Sequence, residues 1–235
     1  MRGRQTPVCA SQRVCQRILK PPLAISVRAV YNQLMSAGTE DEEALLASIG
    51  LRAVGADLAP VRAAATRVAR HIASKKLGVV GFVPADPNVA TPAVLIHLGL
   101  ALVELTGATV AVVDANVRYP ALAALSQGRR PDSDDSVFST RWLRGSLALL
   151  SPARVERAGE VLPQLARLLG EGADLFKHVL VDLTGFELLG EHGAAAASMD
   201  AVALVGRAHR ARESELLALA QSMPPDRFLG VMLVG

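Results

Sequence analysis

The feature that most constrains the fold of this chain is a regular alternation of short apolar segments and longer amphipathic segments, which begins at Leu77. Such an alternation favours a parallel sheet that is covered by helices on both faces. Hydrophobic residues make up 51% of the chain but aromatic residues only 3%, which suits strands buried through small aliphatic side chains. The sequence therefore predicts a mostly parallel, three-layer α/β/α domain. The predicted strands are Leu77–Val83, Thr109–Asp114, Ser146–Leu150, His178–Leu183, Ala201–Val205 and Leu229–Val234, and the predicted helices are Thr91–Leu105, Tyr119–Gln127, Arg154–Leu169, Glu191–Met199 and Arg212–Met223.

The first quarter of the chain has a different character. We interpret residues 1–59 as a basic N-terminal arm with two weak helical patterns, Leu23–Ser36 and Glu40–Ile49, and residues 60–235 as the α/β domain, which opens with an amphipathic helix at Pro60–Lys75. Residues 1–76 contain 12 Lys and Arg against 5 Asp and Glu, whereas the remainder contains 13 against 17. A basic arm can contact anionic lipid, nucleic acid or an acidic partner, and it can equally be a solvated terminus.

Several classes of protein are disfavoured by composition. No apolar run approaches the roughly 18–20 residues that a membrane span requires, and no secretory signal follows the basic start. Two cysteines, Cys9 and Cys15, are too few for a disulfide framework or a zinc site. The sequence predicts a cytoplasmic protein, whose membrane association, if any, occurs through a partner or through peripheral contact of the basic arm.

The segment 77–120 predicts a strand, a loop, a helix and a second strand, which is the order found in phosphate-binding units. Its loop, however, has prolines at Pro84, Pro87 and Pro92, and it has no glycine between Gly81 and Gly99. A phosphate-binding loop needs consecutive backbone N–H groups directed into a concavity, and proline has none. Thr91 with Pro92 predicts a helix start, with Thr91 as the N-cap and Pro92 as the first helical residue.

Three segments, taken in order, resemble those of a known group of proteins. VVDANVRYPAL resembles the second-strand signature of bacterial tyrosine kinases and capsule-synthesis (CpsD-like) ATPases, and HVLVDLTG resembles their Walker B strand. The final segment, SMDAVALVGRAHRARESELLALAQSMPPDRFLGVMLVG, is similar to their distal half. These proteins are a branch of the ParA/MinD deviant Walker ATPases. The resemblance covers about residues 60–235 and implies the P-loop NTPase fold.

The resemblance also implies which residues would form a nucleotide site. Asp114 and Asp182 match the two aspartates that lie near Mg²⁺ in the family, and Arg118 matches the family's arginine. Asn116 stands where the family has a further aspartate, and the phosphate-binding lysine has no counterpart, since no lysine occurs between Lys76 and Lys177. We therefore expect a vestigial site without ATP or Mg²⁺ as a resident cofactor. Aspartates of this kind more often cap the following turn than hold a metal, so we favour the capping role for Asp114 and Asp182.

The predicted function is that of a catalytically inactive relative of this group. It would act as a binding or regulatory subunit, in polysaccharide export or in positioning at a pole or envelope. Its partner would be an active paralogue, a second copy of itself or a membrane component of the export machinery, and nucleic acid is a disfavoured partner. The family's tyrosine-rich tail is absent, which disfavours an autophosphorylating kinase. The family's helix after the last strand is also absent, which predicts a truncated domain or an edge covered by a partner.

Other readings remain open from the sequence. The alternative function is an ATPase of the same group with relocated phosphate contacts, on Lys75 and Lys76 or on an arginine of a second subunit. A dinucleotide-binding enzyme lacks its glycine fingerprint here. Two further sets of residues have both a structural and a functional interpretation: Arg118, Arg129 and Arg130 as a solvated loop or an anion site, and Trp142 as a packing anchor or a partner contact. His97 lies within an apolar helix and is interpreted as a core or groove residue.

Overall fold

The computed structural model describes residues 59–86, 89–116, 121–122, 138–152, 161–171, 175–186 and 192–234. The predicted helices at Leu23–Ser36 and Glu40–Ile49 lie outside the described residues, as does nearly all of the predicted helix Tyr119–Gln127. The N-terminal segment 1–59 lies outside them apart from Ala59, so the division of the chain at residue 59 stays a prediction. No helix in the described ranges is both long enough and apolar enough to cross a membrane.

Seven strands and five helices make up the described part of the chain. The strands form one sheet in the order β3-β4-β2-β5-β1-β6-β7, in which all neighbours are parallel except β3 and β4. This is the mostly parallel sheet that the sequence predicts. In chain order the elements are α1 (Ala59–Lys75), β1 (Val79–Pro84), α2 (Thr91–Thr106), β2 (Val110–Asp114), β3 (Phe138–Leu143), β4 (Leu147–Pro152), α3 (Val161–Glu171), β5 (His178–Asp182), α4 (His192–Ala197), β6 (Ala201–Arg207), α5 (Glu213–Gln221) and β7 (Phe228–Val234).

Each face of the sheet is covered by its own layer of apolar side chains. On one face, α1 and α2 pack against alternate residues of the strands, including Phe82 and Leu180. On the other face, α3, α4 and α5 cover the intervening residues, such as Val181 and Leu204. All five residues of β2 and of β5 are buried, which is why both segments read as continuous apolar runs in the sequence.

The strand β3 corrects the sequence analysis, which predicted no strand between Asp114 and Ser146. Phe138 and Ser139 begin this strand, which pairs antiparallel with β4. Three consecutive polar residues, Ser139, Thr140 and Arg141, hide any alternating pattern, and only Phe138 and Leu143 are buried. The hairpin turn has Arg144 and Gly145 at φ 49° and 65°, the left-handed pair of a type I′ turn.

Gly81 allows close packing at the centre of the sheet. A Cβ atom at this position would lie 2.4 Å from the Sδ of Met199 and 2.9 Å from a methyl group of Val202, both of which are buried. The strand β1 therefore contacts the loop before β6 more closely than any larger residue would permit.

Replacing Gly81 with alanine is expected to lower the free energy of unfolding by about 1–3 kcal/mol, because the added methyl group overpacks a filled core. Gly170→Ala is the matched control, since Gly170 lies in α3 with nothing within 4 Å of the added atom. The control should be stabilised by about 0.5–1 kcal/mol because alanine is the better helix former. Urea unfolding of both variants measures the difference, and equal effects would contradict the packing argument.

Candidate nucleotide-type site

The candidate site lies where β1, β5 and β2 end side by side. These three strands are neighbours in the sheet, and Asp114 and Asp182 are register partners on β2 and β5. The loop that follows Pro84 leaves the same edge of the sheet. The structure therefore brings the loop after β1 and the two aspartates to one edge, where ligands of open α/β sheets bind.

Asp114 is fully buried and its carboxylate caps the turn that follows β2. Its Oδ1 accepts a hydrogen bond from the backbone N–H of Asn116 at 3.1 Å, and its Oδ2 accepts one from that of Leu122 at 2.8 Å. Burial raises the pKa of Asp114 to about 6, although the hydrogen bonds from Leu122, Asn116 and Ala121 lower it. Turn capping is the role that the sequence analysis favoured for Asp114, and the choice between it and metal binding stays a prediction.

Asp182 lies at the centre of a small cluster of hydroxyl groups. Its Oδ1 accepts hydrogen bonds from the backbone N–H of Thr184 at 2.9 Å and from the hydroxyl of Thr184 at 2.5 Å. The same hydroxyl lies 3.5 Å from the Oγ1 of Thr91, which is buried at the start of α2. Thr184 thereby connects Asp182 to the first helical turn after the loop.

The predicted capping role of Thr91 is wrong. The N-cap of α2 is Ala90, Thr91 is the first residue of the helix, and Pro92 follows in the first turn. No side chain caps this end. The Thr91 hydroxyl faces Thr184 instead of the helix N–H groups.

The remaining predicted site residues are divided between described and undescribed parts of the chain. Asn116 is nearly buried, at 8% exposure, and donates its backbone N–H to Asp114. Arg118, Arg129 and Arg130 lie outside the described residues, so their role as an anion site stays a prediction. Lys75 and Lys76 precede β1, so they lie at the opposite edge of the sheet from Asp114 and Asp182.

The loop between β1 and α2 uses its backbone donors internally. The N–H of Ala85 donates to Val205 O at 2.7 Å, that of Val89 to Asp86 O at 3.2 Å, and that of Thr91 to Val89 O at 2.9 Å. A phosphate cradle needs such N–H groups free and convergent. These three donors are already satisfied by carbonyl groups of the chain.

An ion pair joins this loop to the end of β6. The guanidinium of Arg207 approaches the two carboxylate oxygens of Asp86 at 3.1 and 3.3 Å. The Asp86 side chain is 17% exposed and that of Arg207 is 38% exposed. The negative charge of Asp86 is therefore balanced by a cation at the same edge.

Sequence reasoning did not single out Arg207 or Thr184. Arg207 ends a buried strand at the ligand edge of the sheet, and Thr184 follows Asp182 by two residues. Both residues lie at or just after the carboxyl end of a strand, and this position is the signal by which the sequence could have identified them. What the sequence could not indicate is the pairing of Asp86 with a residue 121 positions away.

The residues of this edge do not fit the Mg²⁺-nucleotide that the fold implies. The loop directs the N–H groups of Ala85, Val89 and Thr91 to its own chain, and no lysine is present in it. Asp114 is buried at 0% exposure with both oxygens accepting backbone N–H groups. Among the described residues, no group of three metal-ligating side chains is found.

The structure also describes the surroundings of His97 and Trp142, two further candidates from the sequence. His97 lies on α2 with its Nε2 buried and without a hydrogen-bond partner, and burial followed by the Arg62 guanidinium lowers the pKa of His97. His97 has intermediate exposure, which agrees with its interpretation as a core or groove residue. Trp142 packs at 5.9 Å between ring centroids against Phe176, as a packing anchor would.

Comparisons with known proteins give matches only at the level of structure. Neither protein-family models nor curated protein sequences match this chain. The kinase domain of the Escherichia coli tyrosine kinase ETK matches with a TM-score of 0.61 at 18% identity, covering 74% of each chain. The VpsO kinase domain matches with a TM-score of 0.60 at 16% identity, covering 84% of this chain and 98% of its own. The BceF tyrosine kinase domain matches with a TM-score of 0.60 at 18% identity, covering 88% of this chain and 89% of its own.

At these identities the likeness concerns the fold. It agrees with the resemblance carried by the three sequence motifs, and the seven-stranded sheet with helices on both faces is the P-loop NTPase-like architecture that they imply. The chain has the fold of the bacterial tyrosine kinase domains.

Proposed function

We propose that this protein is a catalytically inactive relative of the bacterial tyrosine kinases and ParA/MinD-like ATPases, which acts as a binding or regulatory subunit. The observation that carries the proposal is the loop between β1 and α2, whose N–H groups at Ala85, Val89 and Thr91 bond within the chain. A triphosphate at this edge would find those donors already engaged.

The Asp86–Arg207 ion pair adds a second obstacle to nucleotide binding. A polyanion would have to displace Asp86 from Arg207 or lie beside its carboxylate. A like-charge contact at about 4 Å costs about 1–4 kcal/mol in partly exposed surroundings. The start of α2 would return only about 0.3–1 kcal/mol to an anion. The balance disfavours a bound nucleotide.

Titration with Mg²⁺-ATP and Mg²⁺-ADP tests the proposal. Binding at a hundredfold excess over Kd would stabilise the native state by about 2.7 kcal/mol, and we expect no such stabilisation at millimolar nucleotide. Thermal unfolding and calorimetry are the measurements. A stabilisation that disappears in Asp182→Ala would contradict the proposal, because it would place a nucleotide beside that carboxylate.

The second candidate function is a nucleotide-binding protein with relocated phosphate contacts. Arg207 favours it, because a partly exposed guanidinium lies at the same edge as Asp182 and the hydroxyls of Thr91 and Thr184. If nucleotide does bind, Arg207→Ala should abolish the binding and Arg212→Ala should not. Arg212 is the matched control, since its side chain is 79% exposed and, among the described residues, forms an ion pair with Glu215 in the first turn of α5.

An inactive subunit requires a partner protein. We propose an active paralogue, a second copy of the chain, or a membrane component of polysaccharide export or envelope positioning. The similarity in fold to the ETK, VpsO and BceF kinase domains supports a partner from that class. Co-purification of the tagged full-length chain with a kinase of this fold, or its self-association in light scattering, distinguishes these partners.

A further inference from the structure

The exposed face of α1 carries only positive charge. This helix contains four basic side chains that are all exposed in the structure, and Lys76 follows it. Its sequence contains neither Asp nor Glu. Its opposite face, with Ala65, Ala69 and Ile72, is fully buried against the core. The exposed basic residues of this cationic face are Arg62, Arg67, Arg70, Lys75 and Lys76, with His71 beside them.

The charges of the cationic face are not neutralised by the rest of the described chain. The ion pairs found among the described residues join Asp86 to Arg207, Glu215 to Arg212 and Asp226 to Arg227, and none includes a cation of α1. From Leu77 onward the chain carries 13 Lys and Arg against 17 Asp and Glu. The positive excess of residues 59–235 is therefore concentrated in the sequence of α1 and Lys76.

The backbone conformation of Lys76 is a second, independent sign that positive charge is retained at this end of α1. It ends α1 in the left-handed conformation, at φ 55°, with its N–H bonded to Ala73 O and the N–H of Leu77 bonded to Ile72 O. This is the helix-ending motif in which glycine is the favoured residue. A lysine here accepts a conformational cost of about 1 kcal/mol and keeps a positive charge at the end of the cationic face.

We propose that the cationic face of α1 docks the protein on an anionic lipid surface. This inference is independent of the proposed function, because its readout is vesicle binding and because Lys75 and Lys76 lie at the amino end of β1, whereas the loop after Pro84 lies at its carboxyl end. The side chains between the cations are small, with Ala63, Thr66 and Ser74 all exposed, so a flat surface can approach the helix along its length of about 25 Å.

A lipid surface is favoured over nucleic acid by what the face lacks. Apart from His71, the helix α1 has no ring that could stack on bases, and it has no Asn or Gln side chain that could read the edge of adenine. Its apolar side is buried, so it cannot insert into acyl chains as an amphipathic membrane helix does. The attraction is therefore electrostatic, which makes it dependent on salt and on anionic lipid content.

Vesicle co-sedimentation of the full-length chain tests this proposal. The vesicles contain phosphatidylcholine with 30% phosphatidylglycerol, or phosphatidylcholine alone, at 50 and 500 mM salt. We expect binding only to the anionic vesicles at low salt. The triple variant Arg67→Gln, Arg70→Gln, Lys75→Gln should bind about a hundredfold more weakly, since each cation near such a surface contributes about fivefold.

The matched control removes three exposed cations elsewhere, through Arg167→Gln, Arg210→Gln and Arg212→Gln. Its binding should fall much less, although its net charge is identical. Equal losses in both variants would overturn the proposal, because they would reflect net charge alone. Unchanged vesicle binding of the α1 variant would also overturn the proposal. So would α1-dependent binding to duplex DNA or RNA that is tighter than the binding to vesicles. The proposal would likewise be overturned if the α1 variant lost an oligomer and kept its vesicle binding. Thermal unfolding verifies that each variant is folded.

Discussion

The Asp114→Asn variant should lose a pH dependence of stability that the native protein carries. In the folded protein the pKa of Asp114 is raised to about 6, from 3.8, so this group binds its proton more tightly when folded. Its stabilising effect is complete below pH 3.8 and is lost as the pH rises through about 6. The native protein should therefore lose about 2 kcal/mol, relative to the variant, between pH 4.5 and 7.5.

Urea unfolding at a series of pH values measures the effect. The quantity to compare is the difference in unfolding free energy between the native protein and Asp114→Asn at each pH. Asp226→Asn is the control, because Asp226 is an exposed carboxylate at 76% exposure, and its curve should run parallel to that of the native protein. A constant difference between native protein and Asp114→Asn would mean that Asp114 is not a buried carboxyl group.

Replacing Phe82 with alanine should have the largest effect on stability, at about 3–5 kcal/mol. Phe82 is fully buried at the centre of β1, under α1 and α2, and its register partner on β5 is Asp182. The loss combines the removed apolar contact with the cavity that remains. Because domains of this size are stable by only about 5–15 kcal/mol, the variant loses a large fraction of its stability.

Leu233→Ala is the control for Phe82→Ala, since Leu233 on the edge strand β7 is 51% exposed. It should change stability by no more than about 0.5 kcal/mol. Phe82→Leu retains most of the buried volume and provides a folded comparison if the alanine variant does not accumulate. Equal unfolding midpoints in urea for Phe82→Leu and Phe82→Ala would contradict the cavity argument.

The parallel part of the sheet could be predicted because its strands are buried on both faces. The strands β2 and β5 read as unbroken apolar runs, and each ends in an aspartate. Because parallel strands all end at one edge, the proximity of Asp114 and Asp182 followed from their positions alone. The resemblance to bacterial tyrosine kinases, carried by these same segments, is confirmed for the fold.

What could not be predicted depends on contacts between distant segments. The strand β3 has two buried residues in six, so its pattern is too weak to separate from a loop. The partner of Asp86 is an arginine at the end of β6, which no local pattern encodes. Thr91 has the residue type of an N-cap, but the hydroxyl of Thr91 contacts the hydroxyl of Thr184 instead.

The position of β5 between β1 and β2 has a consequence for the order in which the chain can be assembled during synthesis. The unit β1-α2-β2 is contiguous in sequence, yet its two strands do not touch, because residues 178–182 separate them. A nascent chain that has reached residue 177 can pair β2 with β4, but β1 still lacks both of its neighbours, β5 and β6. The edge that carries Asp114 therefore closes only after the ribosome has added most of the protein, and until then the unpaired β1 depends on chaperones or on α1 and α2 for protection.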